Sequence, residues 1–336
     1  MRPRAKRLDY ALQSNTCRKL YFAMRWLVGS LLVVLGPCAG AILIRDDVAD
    51  SKYLDYAKEV QFAGVGQLVL KKSSSTGYGT ATYIGKGNGK HWILTAEHVL
   101  SGYITDGSVF KVGGKDYKLG GTYSYLGDLA VIPISGTGVD DLTATAYLNH
   151  ALPIDADPAK RWEAATVGYG LSGTGSKPLT VDDSKKRAMR SVIDAYKLKT
   201  YTAKGDVNQE FDGYMADFDN GAAAKNTLDS QDVPASKLHP DQRSARTQLD
   251  LEGGVASGDS GGPLMTQRYG KWVIAGVTSG KYDAAGFGQW DNYIAADAEY
   301  GNFIAKKTGI KPLPEPATLT LVALGAAFLA RRRLKN

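Results

Sequence analysis

Between residues 60 and 310 the chain alternates short apolar runs with breaks rich in glycine, lysine and asparagine. Val65-Gly-Gln-Leu-Val-Leu70, Tyr78-Gly-Thr-Ala-Thr-Tyr-Ile84 and Trp92-Ile-Leu-Thr95 hold the β-branched and aromatic residues that suit a pleated, half-buried surface. Gly87-Asn88-Gly89 separates the last two and predicts a tight hairpin. Leu129-Ala-Val-Ile-Pro-Ile134 and Trp272-Val-Ile-Ala-Gly-Val-Thr278 predict further strands. A helical period runs from Ala295 to Lys307, with Tyr300, Phe303 and Ile304 on one side and Gly309 as its stop. Many short strands and one late helix predict an all-β fold of two barrels with a C-terminal helix. Residues 172–250 are polar, with several charged stretches, and read as long insertions between strands.

Two further apolar runs stand at the ends. Trp26-Leu-Val-Gly-Ser-Leu-Leu-Val-Val-Leu35 follows a basic start and precedes Ala39-Gly40-Ala41, the order of a secretory signal peptide. Residues 1–41 are therefore expected to be removed, and Met24 is a candidate true start. The alternative is an uncleaved signal anchor. Near the other end, Pro314-Glu315-Pro316 is followed by the apolar run Ala317–Ala330 and then Arg331-Arg332-Arg333. Fourteen helical residues reach only about 21 Å. Terminal arginines suit a membrane-associated tail better than a core helix.

Charge changes the picture little once it is located. The chain has 41 Lys and Arg against 34 Asp and Glu, a formal +7. Residues 1–41 hold seven of the bases and one acid, and residues 331–336 hold four bases. The body between them is about neutral, with 30 bases and 33 acids, so the excess is a topology signal and not a nucleic-acid surface. Both cysteines, Cys17 and Cys38, lie in the segment expected to be removed. The body then has no disulfide or zinc-thiolate site.

The chemistry is concentrated in three segments: Thr95-Ala96-Glu97-His98-Val99, Gly127-Asp128-Leu129-Ala130-Val131 and Gly258-Asp259-Ser260-Gly261-Gly262-Pro263. A serine hydroxyl is a weak nucleophile near neutral pH and needs a histidine to take its proton and return one to the leaving amine. That histidine needs a carboxylate to fix its tautomer and stabilise its charged form. The developing oxyanion needs backbone N–H groups aimed at it, which a glycine-rich turn supplies. Chain order separates the competing arrangements. Gly258-Asp-Ser-Gly-Gly262 also fits the α/β-hydrolase pattern, but that fold needs a histidine after the serine. His91, His98, His150 and His239 all precede Ser260. A subtilisin order needs an acid before His98, and Asp46, Asp47, Asp50 and Asp55 lack the apolar strand that follows Asp128.

The three segments, in this order, resemble the chymotrypsin/trypsin family of serine proteases over about residues 60–308, weakly between 172 and 250. The resemblance implies two six-stranded-type β-barrels and a peptidase acting on polypeptide substrates through an acyl-enzyme. It implies Ser260 as nucleophile, His98 as base, Asp128 as orienting carboxylate, and the N–H groups of Gly258 and Ser260 as oxyanion hole. It also places Gly254 at the floor of the primary substrate pocket, with Val255 beside it and Thr278, Ser279 and Gly280 along one wall. With no acid at that floor, a preference for Arg or Lys is not expected. Two departures stand out. Glu97 replaces a small residue beside the histidine. Ile42-Leu-Ile-Arg, which cleavage after Ala41 would expose, matches the family's activation sequence poorly, so pairing of a new N-terminus with Asp259 is not expected.

The tail resembles the PEP-CTERM sorting signal of Gram-negative bacteria, which implies processing by an exosortase-type enzyme and transient anchoring through a helix at 317–330. A plain C-terminal anchor is the alternative. The expected organisation is a signal peptide at 1–41, a protease domain at 42–310 and a sorting signal at 311–336. No cofactor, catalytic metal or nucleic-acid partner is expected. The spaced oxygens of Asp217-Phe218-Asp219-Asn220-Gly221 are read as a polar turn, with calcium binding as the lesser alternative. The competing functional reading is a surface or matrix-associated binding protein that keeps the protease fold with little turnover.

Overall fold

The first barrel follows from the hairpin patterning. In a computed structural model, Val65–Lys71 (β1), Thr76–Gly87 (β2), Lys90–Ala96 (β3), Ile104–Val112 (β4), Lys115–Leu119 (β5) and Leu129–Ser135 (β7) close a six-stranded barrel in the order β3-β2-β1-β4-β5-β7. Antiparallel pairing of β7 with β3, from His91↔Ile134 to Ala96↔Leu129, completes the circle. The β2–β3 turn is Asn88-Gly89, both with positive φ, as a two-residue hairpin requires. The short strand β6 (Ser124–Leu126) pairs on β7. Leu68, Phe110, Tyr117, Leu119, Ile132 and Ile134 share one face of the ladder and fill the interior.

The second sheet comprises Glu163–Gly168 (β8), Arg187–Val192 (β9), Ala195–Tyr196 (β10), Tyr214–Asp217 (β11), Pro263–Arg268 (β12), Lys271–Tyr282 (β13) and Trp290–Ala295 (β14). Their order is β9-β8-β12-β13-β14-β11-β10, a half-barrel. Its edge strands β9 and β10 run end to end through Ile193-Asp194, whose N–H groups bond Trp162 O and Met215 O, and so they do not pair side by side. Three of these strands, β9 to β11, lie within residues 172–250. That segment is therefore not only insertion: its polar appearance hides a strand whose first residue, Arg187, is fully buried between Asp50 and Asp183. Lys199–Tyr201 and Val207–Glu210 form a separate two-stranded hairpin whose second strand is exposed.

Three α-helices stand among the described residues: Asp50–Tyr56 (α1), Glu97–Leu100 (α2) and Ala298–Thr308 (α3). Asp297 caps α3 by accepting from the N–H groups of Glu299 and Tyr300, and Gly309 ends it at φ +79°. Its buried face holds Tyr300 and Ile304.

The structure describes residues 42–148, 152–202, 204–232, 238–282 and 284–313. The expected signal segment 1–41 with Cys17, Cys38 and Met24, His150, and the tail from Pro314 with the helix expected at 317–330 lie outside the described residues. Among the described residues no helix is long and apolar enough to cross a membrane.

Candidate active site

The three segments picked out by their chemistry converge at one end of the two sheets. β3 ends at Ala96, and α2 begins at once, so His98 projects from a four-residue helix with its side chain half exposed. Asp128 sits in the two-residue turn between β6 and β7, where Gly127 takes φ +52°. A glycine at the first turn position matches a type II′ hairpin. The turn aims the carboxylate at the helix. His98 Nδ1 lies 2.9 Å from both Asp128 oxygens, and the His98 N–H donates to Oδ1 at 3.0 Å. The Glu97 N–H donates to the Asp128 carbonyl at 2.9 Å.

Sequence reasoning missed one partner of Asp128. Ser279 Oγ donates to Asp128 Oδ2 at 2.5 Å. Ser279 is expected along a pocket wall; a register shift between Thr278 and Gly280 in the β13–β14 ladder accompanies the bond its hydroxyl makes to the carboxylate. Thr278 is buried and ties the strand to the serine turn through Gly261 N→Thr278 O and Thr278 N→Gly262 O, both 2.8 Å. A Cβ on Gly280 would meet open space. Burial alone would raise the Asp128 pKa. The hydrogen bonds from His98 and Ser279 outweigh it and hold the group below the ordinary carboxylate value.

Ser260 is half-buried at the start of the turn into β12. Its carbonyl accepts from Thr80 N at 2.9 Å, and Gly79 lies against both that carbonyl and Val99 of α2. A Cβ on Gly261 would stand 2.0 Å from Thr95 Oγ1 and 3.1 Å from Ala96 N, so only glycine lets the serine turn approach the end of β3. Ser260 is thereby held next to the segment carrying His98. The N–H groups of Asp259, Gly261 and Gly262 all have backbone partners. Those of Gly258 and Ser260 have none among the described residues, and Gly258 stands at φ +97°.

Two expectations are corrected. First, Ile42 is not remote from Asp259. Its side chain is fully buried, and its N–H lies 3.1 Å from Asp259 Oδ2. Gly170 N and Ala256 N complete that carboxylate's partners at 2.8 Å each. The mismatch with the family's activation sequence was a poor guide, because the site asks only for a backbone nitrogen and an apolar side chain. Leu43 then anchors the segment by pairing with Gly173 and Gly254. Second, a carboxyl group does lie behind Gly254 and Val255. Asp291 Oδ2 accepts from Val255 N at 3.1 Å, and Oδ1 from Gln289 Nε2 at 2.6 Å. Asp291 follows Val255 by 36 residues, on β14, so the local sequence around Gly254 holds no sign of it. The Gln289 amide and Phe218 crowd Gly254, where an added Cβ would come within 2.6 Å and 3.0 Å of them. Burial pushes the pKa of Asp291 up to about 7, and that of Asp259 likewise to about 7.

The stretch 217–221 forms hydrogen-bonded turns. Asp217 accepts from Leu228 N and Ser244 Oγ, Asp219 from Gly221 N, and Asn220 from Ala222 N.

Residues 312–333 match the PEP-CTERM protein-sorting motif. That motif marks an exported protein of Gram-negative bacteria, transiently held at the membrane, and implies processing by an exosortase. No curated protein matches the chain by sequence. Similar solved structures include the active form of the Rv3671c protease from M. tuberculosis, 18% identical with TM-score 0.43, covering 84% of this chain and 97% of that one. HL collagenase is 16% identical with TM-score 0.43, over 74% of this chain and 95% of that one. The protease Anisep from Arthrobacter nicotinovorans is 8% identical with TM-score 0.44, over 74% and 96%.

Proposed function

We propose that the chain is an exported serine endopeptidase in which Ser260 attacks the peptide carbonyl, His98 acts as base and then acid, and Asp128 orients the imidazole. The observation that carries this reading is the His98–Asp128 pair, held by side-chain and backbone bonds beside a glycine-locked serine turn. With Nδ1–H committed to Asp128, Nε2 is the basic nitrogen available to the hydroxyl. The N–H groups of Gly258 and Ser260, without a partner among the described residues, are the donors for the oxyanion. Ser279 steadies Asp128 as a second donor. A fluorophosphonate probe tests the assignment. It should label the wild-type chain and leave Ser260→Ala unlabelled. Equal labelling of both would overturn it, and no labelling of either would favour a binding protein.

In this reading, cleavage after Ala41 does more than complete export. Ile42 stands at φ +55°, a strained conformation for a β-branched residue that is defined by the carbonyl preceding it. Removing that carbonyl releases the strain. It also turns the amide into an ammonium facing the buried Asp259 carboxylate. The resulting ion pair orders the turn that presents Gly258 and Ser260. Residues 42–310 are the catalytic domain, and the tail is a sorting and transient anchoring signal. A mature C-terminus near Pro314, read by mass spectrometry, supports removal of the tail, and an intact Asn336 throughout refutes it.

A further inference from the structure

Glu97, the departure beside the catalytic histidine, has no role in the mechanism above. The structure gives it an unusual setting. Its Oε1 accepts from Tyr123 Oη at 2.9 Å. No lysine, arginine or histidine among the described residues pairs with it. Tyr123 is the middle member of a three-tyrosine array. Its ring centroid lies 6.0 Å from that of Tyr103 and 5.9 Å from that of Tyr125, both pairs tilted. Tyr103 is fixed by donating to Gly120 O at 2.5 Å, while Tyr125 is 59% exposed. The array is rigidly tied to the site, because Tyr125 lies on β6 three residues before Asp128 and Glu97 immediately precedes His98.

Three tyrosines elsewhere lie under cations of the chain itself: Tyr196 under Lys197, Tyr269 under Arg268 and Tyr147 under Lys271. Over the array beside His98 no described cation lies. Aromatic faces with a carboxylate at their edge attract a cation, by the ring quadrupoles and by charge. The Tyr123 hydroxyl holds the carboxylate in place without neutralising it. Asp128 is already occupied by His98 and Ser279, so Glu97 is the acid open to an incoming group.

We propose that Glu97, Tyr123 and Tyr125 form a subsite for a lysine or arginine side chain of the polypeptide substrate, a reading that rests on the peptidase assignment above. Contact with a chain crossing the His98–Ser260 cleft makes the occupant a residue flanking the cleaved bond. It is separate from the side chain received at Gly254.

The test is a set of fluorogenic peptides in matched pairs, with lysine or norleucine walked through the positions flanking the cleaved bond. At one position wild-type kcat/KM should favour lysine by about tenfold, the scale of one cation–π and carboxylate contact. In Glu97→Gln, and in the exposed-site variant Tyr125→Ala, that ratio should fall to within about twofold of one. Ser260→Ala should show the same preference in binding by fluorescence anisotropy, a readout independent of turnover. Fluorophosphonate labelling with a lysine-to-norleucine ratio of one at every position overturns the subsite while the peptidase stands. Absent labelling and hydrolysis, with the anisotropy preference kept, overturns the peptidase while the subsite stands. If Glu97→Gln slows both members of a pair equally and moves the pH profile, Glu97 acts on His98 and the subsite is wrong.

Discussion

At the residue scale, the proposed mechanism makes unequal demands on four side chains. Ser260→Ala and His98→Ala should each lower kcat by about 10⁴-fold or more with the fold retained by circular dichroism, since each removes a group that takes part in bond making. Asp128→Asn should be comparably impaired, because an amide in that place favours the wrong imidazole tautomer. Ser279→Ala removes only one of several donors to Asp128, so its kcat should fall by about tenfold, the scale of one charge-assisted hydrogen bond. Wild-type turnover in Ser260→Ala would discard the mechanism. A Ser279→Ala loss as large as that of Asp128→Asn would show that Ser279 is more than a support. The pocket floor is a second residue-scale matter. Gln289 and Phe218 crowd Gly254, and Asp291 has protein donors of its own, so small or apolar side chains should be preferred before the cleaved bond. A peptide-library profile dominated there by Arg or Lys would refute this, and Asp291→Asn would then be expected to abolish the preference.

At the element scale, the two-residue strand Leu43–Ile44 is where a small change should have a large effect. Adding residues before Ile42 in the body 42–313 keeps an amide where an ammonium is proposed, and kcat/KM should fall by about 100-fold or more with little change in secondary structure. The free α-amine has an ordinary pKa near 8, and pairing with Asp259 raises it. Activity should therefore be lost as pH rises through that raised value, and the extended form should lack this limb. Full activity of an extended form would sink the N-terminal route. The same strand shows what the sequence pattern carried and what it did not. The hairpins of the first barrel, the Asn88-Gly89 turn and α3 were legible because their signals are local: alternation, turn glycines, a cap and a stop. The three motifs were legible because each side chain proposed for catalysis sits in a turn or short helix set by its immediate neighbours. Strand β9 was not, since its buried Arg187 is neutralised by Asp50 and Asp183, and one of those lies far away in the chain. Ser279 facing Asp128, Asp291 behind Val255 and Ile42 on Asp259 are likewise contacts between distant segments. A bulge or a strand pairing creates each of them, and no local pattern records it.

At the scale of the whole molecule, the unusual feature is how many carboxyl groups are buried, most of them with no cationic partner among the described residues and Asp194 against the buried Arg161 at 3.1 Å. Burial, aided by the Asp219 charge, pushes Glu252 up to about 9, and burial pushes Asp219 and Asp291 to about 7. Asp194 and Asp217 are raised as well, by burial and, for Asp194, by the Asp217 charge. Each of these groups holds its proton more tightly folded than unfolded. Its contribution is therefore complete below the ordinary carboxylate range and is lost as pH rises toward the folded-state value. The lowered groups, Asp183 beside Arg187 and Asp128 beside His98, act in the opposite sense but lose their contribution only in acid, below about pH 4. Between them, the body 42–313 should be most stable in mildly acidic solution. It should weaken from pH 5 to pH 9 by about 1.4 kcal/mol per pH unit for each raised group still protonated in the folded chain and ionised in the unfolded one. Glu252→Gln should flatten the upper part of that slope, between about pH 7 and pH 9, because Glu252 stays protonated in the folded chain up to about 9. Asp259 separates the two forms of the protein. Facing an amide it belongs with the raised groups, whereas facing the Ile42 ammonium it is stabilised as a carboxylate and leaves that set. Urea unfolding between pH 5 and pH 9 should accordingly give a steeper decline for the N-terminally extended chain than for the one beginning at Ile42. Parallel curves would place no ammonium at Asp259, and stability rising with pH in both would mean that the buried carboxyls ionise without cost.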